Sequence, residues 1–211
     1  PHWTSQAADP LRVALLQGNL PQLSKWSAEG QRNAVNTYTR MTRQQPDDVD
    51  IIVWPETALP MFEQQARPFM ARLQSTLPPE TSLLTGIVQR DEAGRYYNAI
   101  TGVGDVRGEY RKSHLVPFGE FLPLDFLLRG IIDFFNLPMS DFAAGADSQP
   151  PILTHRVAIG SAICYEIVYP DLVAERARDA NVLLTVSNDT WFGRSIGPLQ
   201  HLQMAQLRAL E

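Results

Sequence analysis

Cysteine is nearly absent from this chain, since Cys164 is the one cysteine among 211 residues. A single cysteine excludes an internal disulfide and any metal cluster built on paired cysteines. Basic runs are missing too, and the formal net charge of −5 argues against a nucleic-acid-binding face. The histidines His2, His155 and His201 show no metal-ligand spacing. We therefore expect no metal, no cofactor and no nucleic acid partner.

Long hydrophobic runs are also missing. No uninterrupted apolar stretch reaches the roughly 20 residues that a membrane-spanning helix needs. The nearest stretch, residues 121–139, places Asp125, Arg129 and Asp133 on one helical face and apolar side chains on the rest. This pattern is typical of an amphipathic segment lying on a membrane surface, and equally of a helix packed on the domain's own core. Both interpretations stay open.

The two ends of the sequence lack the usual boundary signals. The chain begins with Pro1 rather than an initiator Met, and its helical pattern at 198–211 has no stop signal after it. We therefore expect a fragment of a longer protein.

Short apolar runs alternate with helical patterns along the chain. The predicted strands are at 11–17, 50–54, 82–89, 96–103, 106–111, 157–163 and 181–187, and the predicted helices are at 29–44, 68–76, 171–178 and 198–211. The runs at 157–163 and 182–186 have little polar alternation, which predicts strands covered on both faces. The pattern indicates one α/β domain with a central sheet between layers.

Three reactive side chains follow predicted strands. Cys164 comes after the strand at 157–163, Glu56 comes just beyond the strand at 50–54, and Lys112 ends the predicted hairpin. A thiol needs a base to take its proton and a cation to hold the thiolate, so we expect Glu56 and Lys112 to favour the thiolate of Cys164. Taken singly, a lone cysteine is more often a small buried hydrophobe, and Glu or Lys at a strand end is more often a solvated charge.

The segments around these residues carry recognisable motifs. They are Gln17-Gly18-Asn19-Leu20-Pro21-Gln22 with Lys25-Trp26, Trp54-Pro55-Glu56, His114-Leu115-Val116-Pro117-Phe118-Gly119-Glu120-Phe121, Ile163-Cys164-Tyr165-Glu166, and Ser187-Asn188-Asp189-Thr190-Trp191-Phe192-Gly193. Together they resemble the nitrilase (carbon–nitrogen hydrolase) superfamily with its Glu-Lys-Cys triad and, within it, the apolipoprotein N-acyltransferase family. The resemblance spans about residues 11–211.

The resemblance implies a nitrilase-like αββα sandwich over residues 9–211, truncated at its C-terminal end. Residues 1–8 would be a linker from a preceding membrane segment, which places the domain on the periplasmic face of a bacterial inner membrane. The implied activity is acyl transfer from a phospholipid, through a Cys164 thioester, to the N-terminal amine of a diacylglyceryl-cysteine lipoprotein. The implied partners are the phospholipid donor, the lipoprotein acceptor and the membrane.

The resemblance also implies a role for each site residue. Cys164 would be the nucleophile, Glu56 the base, and Lys112 with the backbone N–H of Tyr165 the oxyanion donors. By match to the family pattern, Glu120 and Glu166 would orient Lys112 and its loop, whereas Trp26, Asn98 and Tyr165 would line the substrate site. Trp26 could instead be a helix staple, Asn98 a turn residue and Glu120 an acid at a helix start. For His114 we expect a structural hydrogen bond rather than a Cys-His dyad.

Two other functions remain compatible with these residues. A soluble amidase or nitrilase of the same superfamily would use the same Glu56, Lys112 and Cys164. A catalytically inactive domain that binds lipid or lipoprotein would use none of them, and it would tolerate Cys164→Ala.

Overall fold

The structure is a computed structural model that describes residues 9–21, 24–116, 120 and 142–211. Within these ranges the strands form two sheets. The larger sheet contains β1 (Val13–Leu15), β2 (Ile51–Val53), β4 (Ser82–Arg90), β5 (Tyr96–Val103) and β6 (Tyr110–Arg111) in that order, with β3 (Leu59–Phe62) beside β4. The smaller sheet contains β7 (Ile152–Leu153), β8 (Ala158–Ile163) and β9 (Val182–Val186). Strands β1, β2 and β4 run parallel, as do β8 and β9.

The described helices are α1 (Ala28–Arg43), α2 (Glu63–Gln74), α3 (Pro170–Ala177) and α4 (Gly197–Leu210), and short 3₁₀ helices cover Cys164–Val168 and Asp189–Phe192. One apolar core lies between α1, α2 and the larger sheet. A second core lies between the two sheets, where Ile51, Val53 and Ile100 meet Ile159 and Ile163. With α3 packed on the smaller sheet, the layers follow the αββα order that the resemblance implies. The predicted α/β fold is confirmed.

Helix α1 fixes the position of the strand that leads to Glu56. Its N-cap is Ser27, whose hydroxyl accepts a hydrogen bond from the Gly30 N–H at 3.0 Å. Tyr38, buried on this helix, stacks on Trp54 with ring centroids 4.9 Å apart. Trp54 follows β2 directly, so the predicted helix at 29–44, confirmed within one residue at each end, anchors the exit of that strand.

Three parts of the sequence-based prediction were wrong in detail. Helix α2 begins at Glu63 rather than at Pro68. Pro68 therefore lies inside the helix and not in its first turn, where proline is most favoured. Strands β3 and β7 were not predicted, since the first contains Pro60 and the second has two residues. Strand β9 is not covered on both faces: it lies at the edge of the smaller sheet and Leu183 is 40% exposed.

Strand β8 is covered on both faces, as predicted. From Ile159 to Ile163 every residue is buried, and Gly160 lets the backbone of α3 come close. A Cβ atom at Gly160 would lie 2.3 Å from the carbonyl oxygen of Arg176, which is closer than any side chain can approach. This contact holds in place the strand that ends at Cys164.

No helix in the described part of the chain combines the length and apolar character needed to cross a membrane. The amphipathic segment predicted at 121–139 and the linker predicted at 1–8 lie outside the described residues.

Candidate active site

The three predicted catalytic residues lie where strands of the two sheets end. Glu56 follows β2, Lys112 directly follows β6, and Cys164 directly follows β8. Their charges interact with one another, since Glu56 and Lys112 each act on the Cys164 thiol and Glu56 acts on Lys112. The fold therefore gathers the three groups from widely separated parts of the chain.

Glu56 is held by both sheets. Its Oε1 accepts a hydrogen bond from Asn98 Nδ2 at 2.7 Å, and its Oε2 accepts one from the Asn188 backbone N–H at 2.8 Å. Asn98 lies on β5, whereas Asn188 follows β9. Strand β4 makes room for this turn at Gly86, where a Cβ atom would lie 2.6 Å from the Glu56 Cα. The carboxylate, in a residue that is 8% exposed, is thus fixed from two directions.

Lys112 is joined to Glu56 through a chain of polar side chains. Its Nζ lies 2.7 Å from Glu120 Oε2, and Asn98 Nδ2 donates to Glu120 Oε1 at 3.1 Å as well as to Glu56. The backbone N–H of Val116 also donates to Glu120 Oε2, at 2.9 Å. Lys112 is 1% exposed, so its ammonium and the two carboxylates form a buried charge network.

Burial and charge act against each other in the titration of this network. Burial raises the pKa of Glu56 above its usual value, against the opposing effects of the Lys112 charge and the hydrogen bond from Asn98. Burial alone would lower the pKa of Lys112, but the charges of Glu56 and Glu120 outweigh it and raise that pKa. A carboxyl group with a raised pKa is well suited to taking up and returning a proton.

The backbone at Cys164 is unusual. Its φ of 53° lies in the left-handed region, which non-glycine residues rarely adopt. The residue stands between the last residue of β8 and the rest of a 3₁₀ helix, so the chain changes direction there. A strained turn that displays a side chain at the end of a buried strand is compatible with a nucleophile.

The expected thiolate at Cys164 is not found. Burial, and next the charge of Glu56, raise the pKa of the Cys164 thiol to about 12, although Lys112 and a hydrogen bond from Ser187 act in the other direction. The expectation was wrong because the sequence could not show how far the thiol is desolvated. Cys164 at rest is a protonated thiol, so its attack on a carbonyl requires a base at the moment of reaction.

Glu166 ties the Lys112 loop to the end of β8. Its carboxylate accepts hydrogen bonds from the Tyr110 hydroxyl at 2.9 Å and from the backbone N–H groups of Ser113, His114 and Ile163 at 2.8, 2.9 and 2.7 Å. Glu166 is 0% exposed. It therefore fixes the backbone on either side of the site, next to Lys112 and next to Cys164.

Replacing Glu166 with Gln is expected to destabilise the domain by about 3 kcal/mol, because an amide donates at one of its two positions while five donors, including the Ser113 hydroxyl at 3.1 Å, point at this side chain. Thermal unfolding followed by circular dichroism measures the effect. Glu175→Gln, which removes a much more exposed acid on the neighbouring α3, is the matched control. Equal unfolding temperatures for the two variants would contradict the assigned role of Glu166.

The remaining predicted residues are Trp26, Tyr165 and His114. Trp26 is half-buried in the turn that precedes α1, and Tyr165 is exposed directly after Cys164. His114 donates through its backbone N–H to Glu166, and its ring packs against Tyr169 with centroids 3.9 Å apart. No described contact places the His114 ring against Cys164.

The structure adds His201 as a neighbour of the site, and it also places there Asp189 and Lys25, which belong to the quoted motifs but had no role assigned. His201 Nε2 lies 3.0 Å from the Cys164 carbonyl oxygen, and its Nδ1 lies 2.8 Å from Asp189 Oδ1. Spacing could not reveal this contact, because His201 lies 37 residues after Cys164 on α4.

Cys164, Asp189 and His201 also form a group that could hold a metal ion, the one such group of three or more residues in the part of the chain that the structure describes. Their candidate ligand atoms all lie within 4.8 Å of one another. Both ring nitrogens of His201 already face hydrogen-bond partners. The arrangement is therefore explained by hydrogen bonding, without a metal ion.

Lys25 is a second buried cation near Glu56. It is 6% exposed, and among the described residues its ammonium has no hydrogen-bond or ion-pair partner. Burial lowers the pKa of Lys25 to about 8, and the charge of Glu56 limits the fall. Lys25 lies on the loop after β1, which is the parallel neighbour of β2, so the two strand exits share one edge of the sheet.

Comparison with known proteins identifies the family. The family model for carbon-nitrogen hydrolases matches residues 12–211. The chain belongs to the carbon-nitrogen hydrolase family.

Solved structures agree on the fold. A carbon-nitrogen hydrolase from Helicobacter pylori has a TM-score of 0.65 at 14% identity, over 94% of this chain and 69% of that one. A CN-hydrolase superfamily protein from Xanthomonas campestris, solved with an arsenic adduct in its active site, has a TM-score of 0.64 at 18% identity, over 95% and 72%.

The chain is also similar to curated proteins named apolipoprotein N-acyltransferase. That of Pseudomonas aeruginosa is 50% identical over 99% of this chain, and that of Azotobacter vinelandii is 49% identical over the same share. That of Vibrio vulnificus is 42% identical over the whole chain. The chain spans 42–44% of the length of these relatives.

Proposed function

We propose that this domain belongs to an apolipoprotein N-acyltransferase and carries its chemistry. It would move an acyl chain from a phospholipid, through a thioester on Cys164, to the N-terminal amine of a diacylglyceryl-cysteine lipoprotein. The observation that carries the proposal is the 50% identity to proteins of that name over 99% of the chain, a range that includes every residue of the charge network. The proposed location is the bacterial inner membrane, with this domain facing the periplasm.

In the first half-reaction, the Cys164 sulfur attacks the ester carbonyl while Glu56 takes the thiol proton. Because the pKa of the thiol is about 12, attack and proton transfer have to be coupled. The oxyanion that forms is met by the Lys112 ammonium and by the Tyr165 backbone N–H. The C–O bond then breaks, Glu56 returns the proton to the leaving alkoxide, and a lysophospholipid departs from the thioester.

In the second half-reaction, the amine of the lipoprotein attacks the thioester carbonyl and Glu56 takes a proton from it. The same two donors stabilise the second oxyanion. The C–S bond breaks, the proton returns to the sulfur, and an amide is released. A raised pKa at Glu56 supports both directions of proton transfer, since one carboxyl group has to act in turn as base and as acid.

The intact mass of the full-length protein after incubation with phospholipid in detergent tests this proposal. We expect an increase of one acyl group on the peptide that contains Cys164, reversed on addition of a diacylglyceryl-cysteine peptide. Cys164→Ala should show no increase. Acylation by small amides with none by phospholipid would instead favour the amidase function, and an unmodified Cys164 with either donor would contradict both.

A further inference from the structure

Both ring nitrogens of His201 face hydrogen-bond acceptors. Nε2 lies 3.0 Å from the carbonyl oxygen of Cys164, and Nδ1 lies 2.8 Å from Oδ1 of Asp189. The same Asp189 oxygen accepts a hydrogen bond from the Ser187 hydroxyl at 2.6 Å. The ring therefore connects the carboxylate to the backbone of the predicted nucleophile.

The acceptor at Nε2 determines where one proton of His201 lies. A carbonyl oxygen cannot donate, so Nε2 has to carry a proton to bond Cys164. Nδ1 faces Asp189 Oδ1 at 2.8 Å and the Ser187 hydroxyl at 3.4 Å, and these contacts hold the ring on its other side. His201 is thus oriented by Asp189 and donates to the Cys164 carbonyl.

The Cys164 carbonyl shares a peptide plane with the N–H of Tyr165. In a trans peptide the C=O and the following N–H point in opposite directions. A hydrogen bond that holds the carbonyl toward His201 therefore turns the Tyr165 N–H away from α4. The left-handed φ at Cys164 is unfavourable for a non-glycine residue, and a hydrogen bond to the carbonyl of that residue helps to hold the backbone in place.

We propose that the His201–Asp189 pair is a positioning element of the active site: by holding the Cys164 carbonyl, it aims the Tyr165 N–H at the oxyanion that forms when Cys164 attacks an acyl carbonyl. His201 touches neither the substrate nor the reacting sulfur in this scheme. The inference rests on the proposed role of Cys164 as nucleophile, but on no particular acyl donor.

The contacts of the His201 ring nitrogens distinguish a positioning role from metal binding. A metal ion would require the lone pair of a ring nitrogen, whereas Nε2 carries the proton donated to the Cys164 carbonyl and Nδ1 is already in contact with Asp189. Chelation by EDTA is therefore expected to leave the acylation rate unchanged, and a rate that falls with EDTA and returns with zinc would overturn the inference.

Two substitutions of His201 in the full-length protein separate positioning from simple support of the fold. His201→Gln keeps an amide N–H about as far from the backbone as Nε2, whereas His201→Phe keeps the ring volume without a donor. His155→Gln is the matched control, because His155 is an exposed histidine next to Asp105. Each protein is acylated with a p-nitrophenyl ester, which any acyl-accepting thiol can use, and is alkylated with iodoacetamide, a reaction that forms no oxyanion.

Removing an oxyanion donor outright costs about 10²–10³-fold in rate, so misaligning one should cost about 10–100-fold. We expect His201→Phe to lose that much in the maximal acylation rate, with its half-saturating ester concentration and its alkylation rate within about threefold of wild type. His201→Gln should recover most of the loss, and His155→Gln should match wild type.

Other outcomes overturn the inference. Parallel losses of acylation and alkylation in His201→Phe would mean that His201 supports the thiol or the fold. Equal rates for the Gln and Phe variants would mean that the donor to Cys164 is irrelevant. A wild-type protein whose Cys164 takes no acyl group from any donor would overturn the proposed function together with this inference, whereas the first two results would leave that function standing.

Discussion

Replacing Lys112 with Met is expected to slow formation of the acyl-enzyme by at least about 10²–10³-fold, the cost of losing one oxyanion donor. A change in the protonation of the neighbouring carboxylates adds to that loss. Without the ammonium, Glu56 and Glu120 are two carboxylates joined through Asn98 in a buried network, so one of them is expected to take up a proton. A protonated Glu56 cannot act as the base.

The thiol reports which carboxyl group takes up that proton. Lys112 lowers the pKa of Cys164, so its removal raises that pKa if Glu120 takes up the proton; if Glu56 takes it up, the rise is cancelled, because the charge of Glu56 acts on the thiol more strongly than that of Lys112. The alkylation rate of the Cys164 peptide with iodoacetamide, measured against pH, reports the shift, while mass spectrometry reports acylation. Lys112→Gln, which keeps an N–H donor but no charge, serves as a second variant should the Met protein fail to fold.

Lys25→Met is the matched control, because Lys25 is also a buried lysine, and the charge of Glu56 acts on its pKa. Lys25 lacks the ion pair to Glu120 that joins Lys112 to the network. We therefore expect a loss of less than about tenfold in Lys25→Met. Losses of equal size in both variants would contradict a direct role for Lys112 and would indicate a general need for positive charge near Glu56.

The sequence predicted those parts of the molecule that depend on local pattern. Helix α1 was predicted within one residue at each end because Ala34, Val35, Tyr38 and Met41 repeat at helical spacing. Glu56, Lys112 and Cys164 were proposed because each follows a predicted strand, and Glu56 and Cys164 also belong to quoted motifs. Strand β3 was missed because its four residues include a proline and are too few to show a period.

Contacts between distant segments could not be predicted in this way. The Asn188 N–H that holds Glu56 lies 132 residues away along the chain, and the hydrogen bond from His201 to Cys164 joins a helix to the end of a strand. The predicted protonation state of Cys164 was wrong for the same reason, since the desolvation of the thiol depends on which residues the fold packs around it. Sequence pattern thus named the candidate reacting groups, whereas the directions of their pKa shifts required the structure.

Replacing Glu56 with Gln is expected to reduce acyl transfer by about 10²–10⁴-fold, the usual contribution of a general base. Gln keeps the side-chain volume and an oxygen that can accept from Asn98 or from the Asn188 N–H, so the fold should persist. The wild-type rate should rise with pH as Glu56 loses its proton, over a range above that of an ordinary carboxyl group because its pKa is raised. That rise should be absent in the variant.

The same substitution should make Cys164 more acidic while the enzyme becomes slower. The charge of Glu56 raises the pKa of the thiol, so removing that charge lowers the pKa below the present value of about 12. Alkylation of Glu56→Gln by iodoacetamide should therefore begin at lower pH than in wild type, whereas acylation falls. If thiolate content limited the reaction, both rates would rise together in Glu56→Gln. If acylation falls while alkylation rises, Glu56 is the group that transfers the proton. If Glu56→Gln keeps its acylation rate, another group accepts the thiol proton.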